Sequence, residues 1–177
     1  MKHYVLKNNQ PKTSIMETMD EVMEYCLQEL YSAETEGAKA LTKLAKEVSD
    51  PKLQQAFETH AKETEKQAER IEEACELLGI KPKGQQAVGL RGLVEETETL
   101  LKSVKNESLR DAVIIGAAQK MEHYEIAAYG TARSLAEEAG QDKVAKLLEK
   151  TLEEEKKTDE KLTKLAESRV NKKAVEE

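Results

Sequence analysis

Aromatic residues are scarce in this chain: there is no tryptophan, one phenylalanine and five tyrosines in 177 residues. Prolines number three, whereas Ala, Leu, Glu and Lys are abundant, so little is left from which to build sheets and the composition favours helix. The fold class expected is all-α, in one domain long enough to bury a core. No stretch approaches the roughly 18 apolar residues of a membrane span, and Met1-Lys2-His3-Tyr4-Val5 lacks the apolar core of a signal peptide. A cytoplasmic protein without a membrane partner is the expectation. A basic surplus is also missing. The net charge is −7, and the 28 Lys and Arg are interspersed with acids as in Lys62-Glu63-Thr64-Glu65-Lys66, the pattern of a solvated helix face. Nucleic acid is therefore not an expected partner. Nor is there a nucleophile–base pair, a phosphate loop or a Cys/His zinc spacing, which argues against hydrolase, kinase and zinc-finger functions. The two cysteines, Cys26 and Cys75, read as free thiols. Similar heights on adjacent antiparallel helices leave a redox disulfide open.

What the chain does have is a near-repeat. A shift of 91 positions aligns Glu34–Ile71 with Glu125–Leu162 without a gap, matching Leu44 to Leu135, Ala45 to Ala136, Glu47 to Glu138 and Lys52 to Lys143. The repeated unit is a helical hairpin. Ser14 with Glu17 and Thr18 with Glu21 both form capping-box pairs, and a start at Thr18 gives the first helix the length of the second. Its apolar face runs from Met19 through Leu30 and Gly37 to Val48. Asp50 as N-cap and Pro51 at the first position begin the second helix, which stops at Gly79. Lys81-Pro82-Lys83-Gly84 then marks a long crossover. A short helix is expected over 92–104, a third long helix capped by Ser108 with Asp111 and ending at Gly140, and a fourth long helix after it. The division expected is an N-terminal extension over 1–17, a helical bundle over 18–168 and a polar tail over 169–177.

Five acids fall inside apolar faces at about 100° per residue: Glu34, Glu122, Glu125, Glu155 and Asp159. Buried carboxylates need neutralising. Facing positions in the first hairpin sum to about 100, which sets Glu34 level with residues 63 to 67, and a turn near Gly140 sets Glu125 opposite Glu155 and Glu122 opposite Asp159. At this level the second helix offers Glu63, Thr64 and Gln67, with His60 about one turn away. Three solutions stay open: the acids are protonated, they reach solvent between helices, or they hold hard or borderline cations such as Fe²⁺, Fe³⁺ or Mn²⁺. His123 points away from the face of Glu125 and reads as a surface residue. Tyr31 and Tyr129 lie about one turn from an acid, where a phenol either packs or donates to a carboxylate.

The run Glu122-His123-Tyr124-Glu125, with Glu34 and Glu155, resembles the ferritin-like superfamily of di-metal carboxylate proteins. More closely, Tyr31-Ser32-Ala33-Glu34, His60 with Glu63, Thr64 and Gln67, Ala117-Ala118-Gln119-Lys120-Met121-Glu122-His123-Tyr124-Glu125 and Glu153-Glu154-Glu155-Lys156 resemble the YciF-like bacterial stress proteins, over Thr18 to about Ala174. That resemblance implies a ferritin-like four-helix bundle, a homodimer, and a dinuclear iron or manganese centre held by Glu34, Glu122, Glu125 and Glu155, with Glu63 in place of Thr64. His60, Gln67, Asp159 and Tyr31 would surround it. The sequence departs from the superfamily pattern, because Thr64-x-x-Gln67 and Glu155-x-x-Thr158 stand where Glu-x-x-His is the rule. Three functions follow from this reading: an oxidase or peroxidase consuming O₂ or peroxide, a non-catalytic metal binder, or a structural bundle that has lost its site. No residue is assigned a catalytic role.

Overall fold

The computed structural model of the chain describes residues 15–176. Most of the N-terminal extension, with His3 and the alternative cap Ser14, lies outside them. All regular structure among the described residues is helical. Helix α1 spans Met19–Glu47 and begins as its sequence predicts: Thr18 is the N-cap, its Oγ1 accepts from Glu21 N at 3.3 Å, and its own N–H donates to Glu21 Oε2 at 2.9 Å. Helix α2 spans Pro51–Leu78. Asp50 Oδ1 accepts from Lys52 N at 2.8 Å and Leu53 N at 3.2 Å, while Pro51 occupies a position where no N–H is needed. Gly79, at φ 70°, closes the helix in the left-handed conformation that suits glycine.

Helix α3 spans Val88–Leu101, starting four residues before the expected Gly92. Its start carries no side-chain cap; instead the buried Ala87 donates its N–H to Ser32 Oγ of α1 at 3.1 Å. A tertiary contact sets this boundary, so no local signal announces it. Helix α4 spans Glu107–Glu138 and is capped by Asn106, whose Oδ1 accepts from Leu109 N at 2.8 Å, rather than by Ser108. Asp111, the expected partner of that cap, reaches across to the α1–α2 turn, accepting from Ser49 N at 2.8 Å and Asp50 N at 2.9 Å. Helix α5 spans Asp142–Leu165 and runs through a π-helical turn, Ala166–Val170, into α6, Asn171–Glu176. The segment expected as a polar tail from Arg169 is thus helical. Val170 is buried in the core, and Arg169 pairs with the Asp50 carboxylate.

Helices α1 and α2 form one hairpin and α4 and α5 the other; they pack together through α1 against α4 and α2 against α5, with α3 lying on α1 and α4. The apolar core is divided in two. One cluster gathers around Phe57, Leu90 and Ile114, the other around Leu27, Ile71 and Leu148. On α2 the first ends at Ala61 and the second starts at Ile71; on α4 the corresponding residues are Met121 and Tyr129. The layer between is polar. Cys26 and Cys75 are both free, and burial pushes the Cys75 thiol up to about 11, a setting in which it is a weak nucleophile.

Candidate metal centre

Each long helix contributes to the polar layer because its apolar stripe is interrupted at one level. Helix α1 supplies Glu34, α2 supplies His60, Thr64 and Gln67, α4 supplies Glu122 and Glu125, and α5 supplies Thr151 and Glu155; all are buried. Glu34, Glu122 and Glu155 each retain only 1% of their surface. His60 Nε2 lies 3.2 Å from Glu122 Oε1 and 3.6 Å from Glu155 Oε2. One ligand atom from each of His60, Glu122 and Glu155 falls within 4.8 Å of the others. Its other nitrogen, Nδ1, faces outward to Thr158 Oγ1 at 3.4 Å and Glu63 Oε2 at 3.6 Å.

Two neighbours donate into the layer. The Tyr129 hydroxyl donates to Glu34 Oε1, and Gln67 Nε2 donates to Glu155 Oε1. These bonds do not satisfy the site. Glu34 Oε2, Glu122 Oε2, Glu125 Oε1, Glu155 Oε2 and Gln67 Oε1 are buried and have no hydrogen-bond partner among the described residues. Buried oxygens of this kind carry a desolvation cost that something must offset. A Cβ at Gly37 would make an ordinary contact with Glu125 Oε1 at 3.6 Å, so the glycine is not what opens the layer.

The electrostatics follow from that crowding. Burial, reinforced by Glu125, raises Glu34 well above its ordinary value despite the Tyr129 hydrogen bond. Burial and the charges of Glu155 and Glu122 do the same to Glu125. Burial and Glu34 raise Glu155, while His60 pulls the other way. For His60, burial opposes the charged ring, yet hydrogen bonding to Glu122 and Glu63 outweighs it and holds the imidazole well above its usual range. With His60 protonated and four carboxylates ionised, the formal balance would be strongly negative. The layer must therefore take up protons or cations. A donor set of carboxylate oxygens plus one imidazole suits Fe²⁺ or Mn²⁺, so the residues present fit such an ion.

The expected residues separate cleanly in space. Glu122 and Glu155 close around His60 Nε2 and Gln67 bonds Glu155, while Glu34 and Glu125 are buried within electrostatic reach of them but outside that group. Glu63 does not join them: its side chain is half exposed on the outer flank of α2, where its contact is His60 Nδ1. His60, expected to stand back, has its Nε2 inside the cluster. Asp159 lies outside, accepting from Gln119 Nε2 at 2.9 Å and near the exposed His123 at 3.5 Å. Tyr31 turns to the surface and donates to Glu72 at 2.8 Å. Of the two tyrosines one turn from an acid, Tyr129 is the one that donates to a buried carboxylate, that of Glu34. Its place four residues after Glu125, on the same helical stripe, was the available signal.

A family model described as a domain of unknown function, DUF892, matches residues 18–175. Protein YciF of Escherichia coli K12 is 49% identical over 160 residues, covering 90% of this chain and 96% of its own. The chain belongs to the YciF family. The crystal structure of the E. coli stress protein YciF superimposes with a TM-score of 0.84, covering 89% of this chain and 99% of that one. YcfI of Rhodopseudomonas palustris, for which a structural role is suggested, is 35% identical with a TM-score of 0.83, over 85% of this chain and 96% of its own. A protein of Xanthomonas campestris at 24% identity and a TM-score of 0.70, over 86% of this chain and 94% of its own, shares the all-helical fold. Membership in the YciF family thus covers both hairpins and the polar layer between them. No helix among the described residues is long and apolar enough to cross a membrane.

Proposed function

We propose that this YciF-family chain is a ferritin-like four-helix bundle that binds iron or manganese in its buried centre and handles metal or oxidant under stress. The observation that carries the reading is the set of four carboxylate oxygens, on Glu34, Glu122, Glu125 and Glu155, that are buried without a partner at one level of the core. Glu122, Glu155 and His60 Nε2 would hold one ion, and Glu125 and Glu34 would extend the site to a second. A bound redox-active ion would supply electron transfer to O₂ or peroxide.

The chain's own residues prepare the site. Tyr129 orients Glu34, and Gln67 orients Glu155. Thr158 and Glu63 hold Nδ1 of His60, which leaves Nε2 to face inward, as a carboxylate behind a ligating imidazole does. Glu63 thereby takes a supporting place and His60 a ligating one. The protein is proposed to act in the cytoplasm as a homodimer.

A second reading is a structural bundle with a proton-satisfied core. Thr64, Gln67 and Thr158 at the positions of the superfamily's Glu-x-x-His motifs favour it, since an imidazole is missing from each. Metal content separates the two. After anaerobic loading and desalting, the metal reading expects one or two ions per chain in the wild type and loss of metal in Glu122→Ala, which removes a ligand of the first ion. No retained metal in either protein supports the structural reading.

A further inference from the structure

The polar layer is sealed from solvent unequally. Across α2 and α5, Arg70 bonds Thr151 and Glu154, and Gln67 also reaches Glu154. Across α4 and α5, Gln119 spans to Asp159 and Thr163. Between α1 and α4, Tyr124 donates to Glu29, and α3 lies over the seam. A groove of about 290 Å³ opens there beside Cys26, Glu29 and Tyr124, but none of the buried acids lines it; the α1–α2 seam is different. It opens into a groove of about 550 Å³ whose lining includes Glu34.

The groove has a consistent chemistry. Small side chains, Ala38 and Ala68, leave its floor clear, and Glu65, Glu69 and Glu72 follow one another along a stripe of α2 at its rim. Among the described residues, Lys39 is the one basic residue that lines it. Glu72 is steadied by the Tyr31 hydroxyl at 2.8 Å. At the inner side stands Glu34, buried, its Oε2 without a partner and its Oε1 held by Tyr129. At about 30 Å³ per water, the volume accommodates a cation with its inner hydration shell.

We propose that the α1–α2 groove is the route by which a hydrated divalent cation reaches the buried centre, attracted by Glu65, Glu69 and Glu72 and passed inward by Glu34. The proposal rests on the metal reading of the centre. Rim carboxylates raise the local cation concentration and the association rate, an effect that salt screens. Glu34, with one oxygen anchored and one free, exchanges the ion's water for carboxylate at the boundary between groove and core.

Stopped-flow mixing of the apo full-length chain with Co²⁺, read by its visible absorption, tests this. The comparison is between the wild type, the triple variant Glu65→Gln/Glu69→Gln/Glu72→Gln, the groove-filling Ala68→Leu, and a control removing the same charge at the exposed Glu95, Glu138 and Glu176. The rim variant is expected to load about tenfold more slowly at low salt and to lose most of its salt dependence, with unchanged final stoichiometry. Ala68→Leu is expected to load slowly while keeping the salt dependence, and the control to load like the wild type. Equal loading rates in all four proteins would overturn the route while leaving the metal centre standing. A wild type that takes up no ion would overturn both.

Discussion

His60 Nε2 lies 3.2 Å from Glu122 Oε1, a contact that joins the second helix of one hairpin to the first helix of the other. Its register depends on how the hairpins meet. That register is fixed far from the site, where the Asp111 carboxylate of α4 grips the backbone of Ser49 and Asp50 at the α1–α2 turn. The two contacts explain how an imidazole absent from the expected motif positions still enters the centre.

Replacing His60 therefore tests its place among the ligands. His60→Ala should weaken Mn²⁺ or Fe²⁺ binding more than Glu63→Gln, which removes only the carboxylate behind Nδ1 and should cost about tenfold in affinity. Isothermal titration of the two variants gives the comparison. Equal affinity in wild type and His60→Ala would remove the imidazole from the ligand set.

Glu125→Gln separates the demands of stability and of metal. The amide keeps the shape and removes an ionisable group that burial and the charges of Glu155 and Glu122 disfavour. Above pH 8 the apo variant should melt higher than the apo wild type; about 1 kcal/mol moves Tm by about 2–4 °C in a domain of this length. Added Mn²⁺ should reverse the order, because a ligand stabilises the form that binds it more tightly. Thermal melts with and without metal give the sign directly.

The pH dependence of the apo protein follows from the same acids. Glu34, Glu125 and Glu155 have folded pKa values raised above their unfolded ones, mainly by burial, and His60 is raised by its hydrogen bonds to Glu122 and Glu63 against the pull of burial. The native state thus binds more protons than the unfolded chain between the two values. Stability from these groups is fully present below the unfolded values and is lost as pH rises through the folded ones. Asp50, where the Arg169 ion pair and backbone donors outweigh burial to lower the pKa, acts oppositely and is lost as pH falls. Urea unfolding should show the apo protein more stable near pH ~5 than near pH ~8. Bound Mn²⁺ should remove most of that decline, since the ion replaces protons and is released as they return. A flat apo profile from pH 5 to 8 would contradict the crowding of the layer.

Asp111→Ala leaves the buried Asp50 N–H and the Ser49 N–H without their acceptor. A loss of about 2–3 kcal/mol in urea unfolding is expected, with the metal centre weakened only as the hairpins lose register. An unchanged unfolding midpoint would show that the turn is held by other contacts.

Much of the fold is legible because its signals are local. Thr18 with Glu21, Asp50 with Pro51, and Gly79 each fix a helix end by bonds within four residues, and the sequence places all three correctly. Ser108 reads as a cap because Asp111 resembles its capping partner, whereas the Asp111 carboxylate is committed to the α1–α2 turn. The start of α3 and the helical course of Arg169 and Val170 depend on Ser32, Asp50 and the core, which lie far away in sequence. The same distinction runs through the site. Helical periodicity and hairpin symmetry set Glu34, Glu122, Glu125 and Glu155 on inward faces, where all four are buried. His60 stands one turn from the level of Glu34 but level with Glu122, and only the packing of one hairpin on the other reveals that. Glu63 and His60 are three residues apart on one helix, and rotation already sets Glu63 on the flank of the face and orients His60 well, so height alone is what the sequence leaves open.

The central claim, that the partnerless oxygens of the polar layer form a metal centre, is tested most directly by anomalous diffraction at the iron and manganese edges from crystals loaded without oxygen. A peak bonded by Glu122, Glu155 and His60 Nε2 is expected, with any second peak between Glu125 and Glu34. Anomalous peaks confined to the surface, over a layer in which only carboxylates and hydrogen-bonded neighbours are seen, would contradict it.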